Sequence, residues 1–160
     1  MTSYLPNLAR DNISFYLIPA AWTIALLPRA FAAKTYSDCG KAYNNLQPRD
    51  FTNDVHSDQA LDKKTRGRIV RAEAAQANSF ENLPLFAAAV VAGNAAGLDV
   101  ATLNYCALAY VTSRFAYNHI YIFQDLVPAP VRTVAWFAGV CSCFTLFIQA
   151  GWKYNSRTIL

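Results

Sequence analysis

Charge is scarce in this chain, and where it is scarcest the gap is long. Between Leu83 and Phe123 only Asp99 and Arg114 are charged, whereas a soluble domain carries about one charged residue in four. Across the whole chain charged residues make up 15% and hydrophobic ones 54%, which excludes a water-exposed surface over much of the molecule. Any repeat of fixed period is missing too, so a solenoid is excluded, and 160 residues is the length of a single domain. Cysteine occurs four times, at Cys39, Cys106, Cys141 and Cys143, but without the paired spacing of a metal site. Two residues apart on a predicted helix, Cys141 and Cys143 diverge and cannot share an ion. No metal is expected, and the cysteines read as small buried hydrophobes. The basic residues lack the aromatic interleaving of a nucleic-acid surface, so no nucleic acid is expected either. The opening "MTSYLPNLARDN" has no basic region followed by an apolar run and a cleavage site, so insertion is expected to depend on the first span itself.

What the chain does have is long apolar runs around one polar block. From Lys34 to Arg71 there are eight Lys/Arg and five Asp. A membrane span needs about 20 largely apolar residues, and four stretches approach that: 13–33, 65–97, 100–123 and 131–152. Pro19 and Pro28 are expected to bend the first. Gly97-Leu98-Asp99 reads as a tight connection with Asp99 capping the third helix, and "VPAP" (Val127 to Pro130) breaks the chain before the fourth. The expectation is an all-α, integral membrane four-helix bundle with a polar loop over 34–64. The concentration of Lys and Arg in that loop, with Arg132 on the same side, places it in the cytosol. Arg10, Lys153 and Arg157 then lie across the membrane, and Tyr4, Tyr36 and Tyr154 read as interfacial.

The second helix, which contains "RAEAAQANSFENLPLF" (Arg71 to Phe86), begins polar and ends apolar, as a helix entering lipid near Leu83 would. Its polar residues are not scattered. At 100° per residue Arg71, Asn78 and Glu81 fall within an arc of about 80°. On the third helix Arg114, Tyr117 and Tyr121 lie within about 60°, and Tyr110 joins the stripe. An arginine deep in a span costs roughly 2.5–3.5 kcal/mol on insertion scales, so Arg114 must face protein, water or ligand. Glu81 is its expected partner. Two readings stay open: an ion pair that aligns two helices, or a polar pocket for a small charged ligand. His119 projects about 140° from Arg114, away from the stripe, and reads as a packing residue. His56 reads as solvent-exposed. The sequon Asn12-Ile-Ser14 abuts the first span too closely for modification to be expected.

The segment "RAEAAQANSFENLPLF" resembles the second-helix signature of the MAPEG family, the membrane-associated proteins of eicosanoid and glutathione metabolism. The shared elements are Arg-Ala, then Asn78-x-x-Glu81, Pro84 and Phe86. "RFAYNHIY", from Arg114, resembles the family's Arg-x-x-Tyr/His-x-x-x-Tyr, and "APVRTVAW" (Ala129 to Trp136) looks like the opening of its fourth helix. The resemblance implies a homotrimer in the endoplasmic reticulum or another internal membrane, and a fungal or microsomal glutathione transferase-like member. It implies glutathione as co-substrate, held by Arg71, Asn78, Glu81, Arg114, Tyr117 and Tyr121, with Arg132 and Thr133 as the catalytic pair. The implied activity is that of a transferase or peroxidase on lipophilic electrophiles or lipid hydroperoxides drawn from the bilayer. Ala74 and Pro128 stand where the family pattern has arginines, and Arg29 is a loose counterpart of another. These departures imply the alternative, a non-catalytic lipid-binding or scaffold member.

Overall fold

The computed structural model describes residues 6–44 and 46–157, which form five α-helices and no strand. They are α1 (Leu17–Asp38), α2 (Phe51–Ser57), α3 (Lys63–Ala96), α4 (Val100–Ile122) and α5 (Ala129–Arg157), with one 3-10 turn, Ser14–Tyr16, leading into α1. The expected interfacial Tyr4 lies outside the described residues.

Helix boundaries follow local chemistry. The Asp62 carboxylate accepts from the amides of Lys64 (2.9 Å) and Thr65 (3.0 Å), satisfying donors that a first turn leaves unpaired. At the other end of α3, Gly97 adopts φ 69°, the left-handed conformation that stops a helix at little cost only for glycine. Asp99 accepts from Thr102 N at 3.0 Å, so the expected tight connection and its cap are both present. Pro28 is fully buried inside α1, which continues through it to Asp38. Pro19 falls in the first turn of α1, where a missing N–H is harmless.

Helix α3 has 34 residues, so it is about 51 Å long, well beyond the roughly 30 Å of bilayer hydrocarbon. Its two ends sit in different cores. The apolar end packs Phe86, Ala89, Val90 and Ala96 against Leu103, Ala107 and Tyr110 of α4 and Cys143 and Leu146 of α5. There Phe86 stacks flat on Tyr110, centroids 4.0 Å apart. The polar end packs Ile69 and Ala72 against Ala32 and Tyr36 of α1, Phe51 and Val55 of α2, Leu61 and Ile122. The loop over 34–64 is therefore not a bare solvated strap. Phe51 and Val55, one turn apart on α2, bury against α3 and give the loop a core of its own. Tyr36 belongs to that core at 8% exposure, edge-on to Phe51, and is not interfacial. Lys41 holds Asp58 at 3.0 Å, and its hydrogen bond keeps the Asp58 carboxyl below the usual carboxylate range.

Two helical stretches are long and apolar enough to cross a membrane, Ser14–Asp38 and Ala129–Ser156. The other two expected spans fall short of that measure, and α4 shows why. It turns Asn104, Ser113, Arg114 and Asn118 inward, so its average polarity overstates what it presents outward, where Tyr105 and Phe115 are each 59% exposed. Asn104, completely buried, donates to the carbonyls of Leu8 and Asp11 and accepts from Ile13 N. That amide fastens the segment before α1 onto α4. Nearby, the Asn12 amide donates to Asn94 at 2.7 Å and its oxygen accepts from Ser14, so both ends of the sequon asparagine are engaged.

The cysteines depart from the expectation. Cys143 is buried and Cys106 half-buried, but Cys39 and Cys141 are exposed. Cys39 follows the end of α1, and Cys141 faces away from Cys143 on α5, as two-residue spacing dictates.

Candidate functional site

Where α3, α4 and the start of α5 meet, a cavity of about 290 Å³ is lined by Asn78, Tyr117, Arg132, Thr133, Trp136 and Phe137. Arg114 stands behind it. Only 2% exposed, its guanidinium donates to Asn78 Oδ1 (3.4 Å) and to the Trp136 carbonyl (3.2 Å), and lies over the Tyr110 and Tyr117 rings at 5.4 and 5.1 Å. Its Nε is enclosed without an acceptor. Among the described residues, aromatic faces and two neutral oxygens are all that balance this cation. The expected ion pair with Glu81 is not formed: among the described residues Arg114 has no carboxylate partner. Glu81 is exposed at the rim, within electrostatic reach of the Tyr117 phenol. The reason is packing. Gly139 of α5 lets Arg114 lean toward α5, so closely that a β-carbon there would fall 2.6 Å from Ser113 Oγ and 3.1 Å from Arg114 Nη2.

The other groups are set by helix spacing. Asn82 Nδ2 donates to the Asn78 carbonyl at 2.9 Å and approaches its side-chain oxygen at 3.4 Å. With Arg114 on that same oxygen, the Asn78 amide NH2 is left for the cavity. Tyr117 and Tyr121, one turn apart, meet edge to face at 5.5 Å. Arg132, in the first turn of α5, lies over the Tyr121 ring at 4.5 Å. A cation at a helix N-terminus is opposed by the backbone dipole, so Arg132 and the amides of that turn act together on any anion that approaches. Trp136 and Phe137, one turn beyond Arg132 and Thr133, supply an apolar wall. Their spacing from Arg132 was the sequence signal for them. Gly139 gave none, because its role depends on a neighbouring helix.

Six expected residues thus converge: Asn78, Arg114, Tyr117, Tyr121, Arg132 and Thr133, with Glu81 at the margin. Arg71 does not join them. Its Nη2 pairs with Asp125 at 2.7 Å and its Nε donates to the Ile122 carbonyl at 2.9 Å, which places it in a separate pocket with Lys63, Lys64 and Leu126. Arg29 is also engaged elsewhere, bound to Glu73 at 2.5 Å, to the Tyr43 hydroxyl and to the Pro48 carbonyl. Ala74 lines a larger cleft of about 590 Å³ on that side of α3, with Arg49, Thr52 and Gln76. Pro128 is exposed in the connection before α5. His119 is exposed, its ring tilted against Phe123 at 4.8 Å, and His56 is exposed on α2.

No curated protein matches the chain closely enough to count as a relative. The MAPEG family model matches residues 14–152, a range that takes in the first long apolar helix, most of the second and every residue of the cavity. The chain therefore belongs to the MAPEG family and is a membrane protein related to glutathione and eicosanoid metabolism.

Proposed function

We propose that this protein is a glutathione-dependent transferase or peroxidase that acts on lipophilic electrophiles or lipid hydroperoxides within an internal membrane such as the endoplasmic reticulum. One observation carries the reading: Arg114 is a buried cation with no counter-charge among the described residues, adjoining an open cavity. Enclosing such a charge costs several kcal/mol unless an anion completes it. Glutathione has two carboxylates, an ammonium and a thiol, and the residues suit it. Arg114 and the Asn78 amide offer charge-assisted donors to a carboxylate, Tyr117 and Tyr121 offer phenols, and Glu81 at the rim offers an acceptor for the ammonium. The active unit is a protomer of four long helices, with the short α2 in its loop, assembled as a homotrimer with the 34–64 loop cytosolic. Glu81 and Tyr121 stand outside the cavity lining of one protomer, and a neighbouring copy would complete the wall beside them.

Arg132 holds the thiol as thiolate, because a nearby cation favours the charged form of sulfur and so makes the nucleophile available at neutral pH. Thr133, in the lining of the same cavity, is available to donate a hydrogen bond. Trp136 and Phe137 exclude water and receive the apolar substrate. In transfer, a carbon–sulfur bond forms as the leaving group departs with the electron pair. With a hydroperoxide, two thiols are oxidised to one disulfide while the peroxide is reduced to an alcohol and water.

The test is purified protein in detergent with glutathione and a chromogenic aryl halide. Arg132→Ala is expected to lower kcat by about 100-fold, the typical cost of removing one preorganised electrostatic group. Unchanged turnover would remove Arg132 from the chemistry. A specific feature favours a second reading, a non-catalytic lipid-binding or scaffold protein. Glu73 neutralises Arg29, and Ala74 contributes no charge to the cleft beside it. Calorimetry separates the two, since that protein would give no saturable heat with glutathione.

A further inference from the structure

At the polar end of the molecule, on neither face used above, α3 begins and α4 ends around one acid. Arg68 Nη2 meets Asp125 at 2.8 Å, Arg71 Nη2 at 2.7 Å, and Lys64 Nζ stands 3.9 Å away. Lys63 is exposed and has no partner among the described residues. Four cations therefore face one carboxylate. Asp62, the nearest other acid in sequence, is turned onto the amides of Lys64 and Thr65. Arg68 is fixed by stacking on Phe123 at 4.8 Å as well as by Asp125. Lys63, Lys64, Arg71, Asp125 and Leu126 enclose an open cavity of about 480 Å³, too large for a lone counter-ion and large enough for a phosphate with the polar group esterified to it. Leu126, 67% exposed, gives the same cavity an apolar lip.

We infer that this pocket binds the phosphate of an anionic lipid headgroup, with Lys63 and Lys64 as the principal contacts. Asp125 is shared by Arg68 and Arg71 at short range, which leaves Lys64 held only loosely at 3.9 Å and Lys63 without a partner among the described residues, so both exposed ammonium groups can turn to a phosphate. Basic pockets beside a membrane-crossing helix attract anionic lipids, each lysine near the surface adding to the affinity. The apolar lip favours a phosphate attached to acyl chains over the free ion. None of these residues lines the cavity at Arg132, so failure here would leave the glutathione reading standing, and failure there would leave this one.

The experiment uses the full chain in neutral detergent and follows thermal unfolding against phosphatidylglycerol, phosphatidylcholine with the same chains, and inorganic phosphate. Phosphatidylglycerol is expected to raise Tm saturably and phosphatidylcholine not to. In the Lys63→Ala/Lys64→Ala double variant the midpoint concentration should rise roughly tenfold or more, with no such rise in Lys34→Ala, an exposed cation elsewhere. Lys63→Glu, at a side chain without a partner, should move the midpoint the same way should the double variant fail to fold. Inorganic phosphate matching phosphatidylglycerol would overturn the lipid assignment. An unaltered midpoint in the double variant, or an equal rise in Lys34→Ala, would overturn the site.

Discussion

Helix α3 carries an arginine against each flank, and the two are treated in opposite ways. Toward α1, Arg29 is saturated: Glu73, the Tyr43 hydroxyl and the Pro48 carbonyl all accept from it. Toward α4 and α5, Arg114 is more deeply enclosed yet meets only an amide oxygen, a backbone carbonyl and two ring faces. The first arrangement is complete without a ligand and serves to fasten the 34–64 loop onto the long helices. The second is incomplete, and its incompleteness points to chemistry. An arginine in an apolar setting is thus uninformative until its acceptors are counted. The same residue type is a rivet on one side and, on the proposed reading, a receptor on the other.

Substitutions can break this contrast. The largest effect is expected from Arg114→Met, a change of similar length without charge. Glutathione binding measured by calorimetry should weaken about 100-fold, in line with the loss of a charge-assisted pair worth 2–3 kcal/mol. Thermal stability should hold or rise, because no counter-charge is orphaned. A marked fall in Tm would show that Arg114 is a structural group after all. Next comes Glu73→Gln, the mirror experiment. Here stability should drop by about 2 kcal/mol, below the 3–5 kcal/mol of a fully buried pair because Arg29 is a quarter exposed, while glutathione affinity is unchanged. Loss of binding would erase the distinction between the two flanks.

Gly139→Ala sharpens it further. A methyl group 2.6 Å from Ser113 Oγ forces a shift, and overpacking of this kind costs about 1–3 kcal/mol. Because Arg114 would be displaced with Ser113, glutathione affinity should fall along with Tm. A drop in Tm alone would separate packing from binding. The smallest effect concerns Asp125. The Arg68 side-chain hydrogen bond holds its carboxyl below the ordinary aspartate value of about 3.9. A depressed folded pKa gives stability that is present above the unfolded value and disappears as pH falls through the folded one. The Tm gap between wild type and Asp125→Asn should therefore be constant near neutrality and close below about pH 4. A gap independent of pH would mean that the charge contributes nothing.

Much of this was legible in the sequence where local rules suffice. Asp99, Gly97 and the proline-broken turn before Ala129 act on their own backbone, so the end of α3 and the starts of α4 and α5 could be read within a few residues, whereas α5 runs on to Arg157, beyond the expected Trp152. The converging face of Asn78, Arg114 and Tyr117 could be read as well, because helical phase alone places them. What phase does not give is tilt and depth. Arg114 leans toward α5 through the space left by Gly139, so Glu81, on the right face, is left at the rim. Arg71 shares the phase of Asn78 but lies two turns away, where Asp125 reaches it first. Helix α2 went unread because five of its seven residues are polar and carry no strong helix propensity. Its only signal is Phe51 and Val55 one turn apart, which means something only once α3 stands beneath them.

The buried amide of Asn104 has a consequence for biogenesis. The residues it grips, Leu8, Asp11 and Ile13, are synthesised more than ninety positions before it, so they must wait for their lock. Asn94 of the second long rod can take Asn12 and Ser14 first, and the hold on Leu8, Asp11 and Ile13 closes when the third long rod packs beside the first. Two carboxamides made late in the chain, Asn94 and Asn104, therefore close over its earliest helical segment.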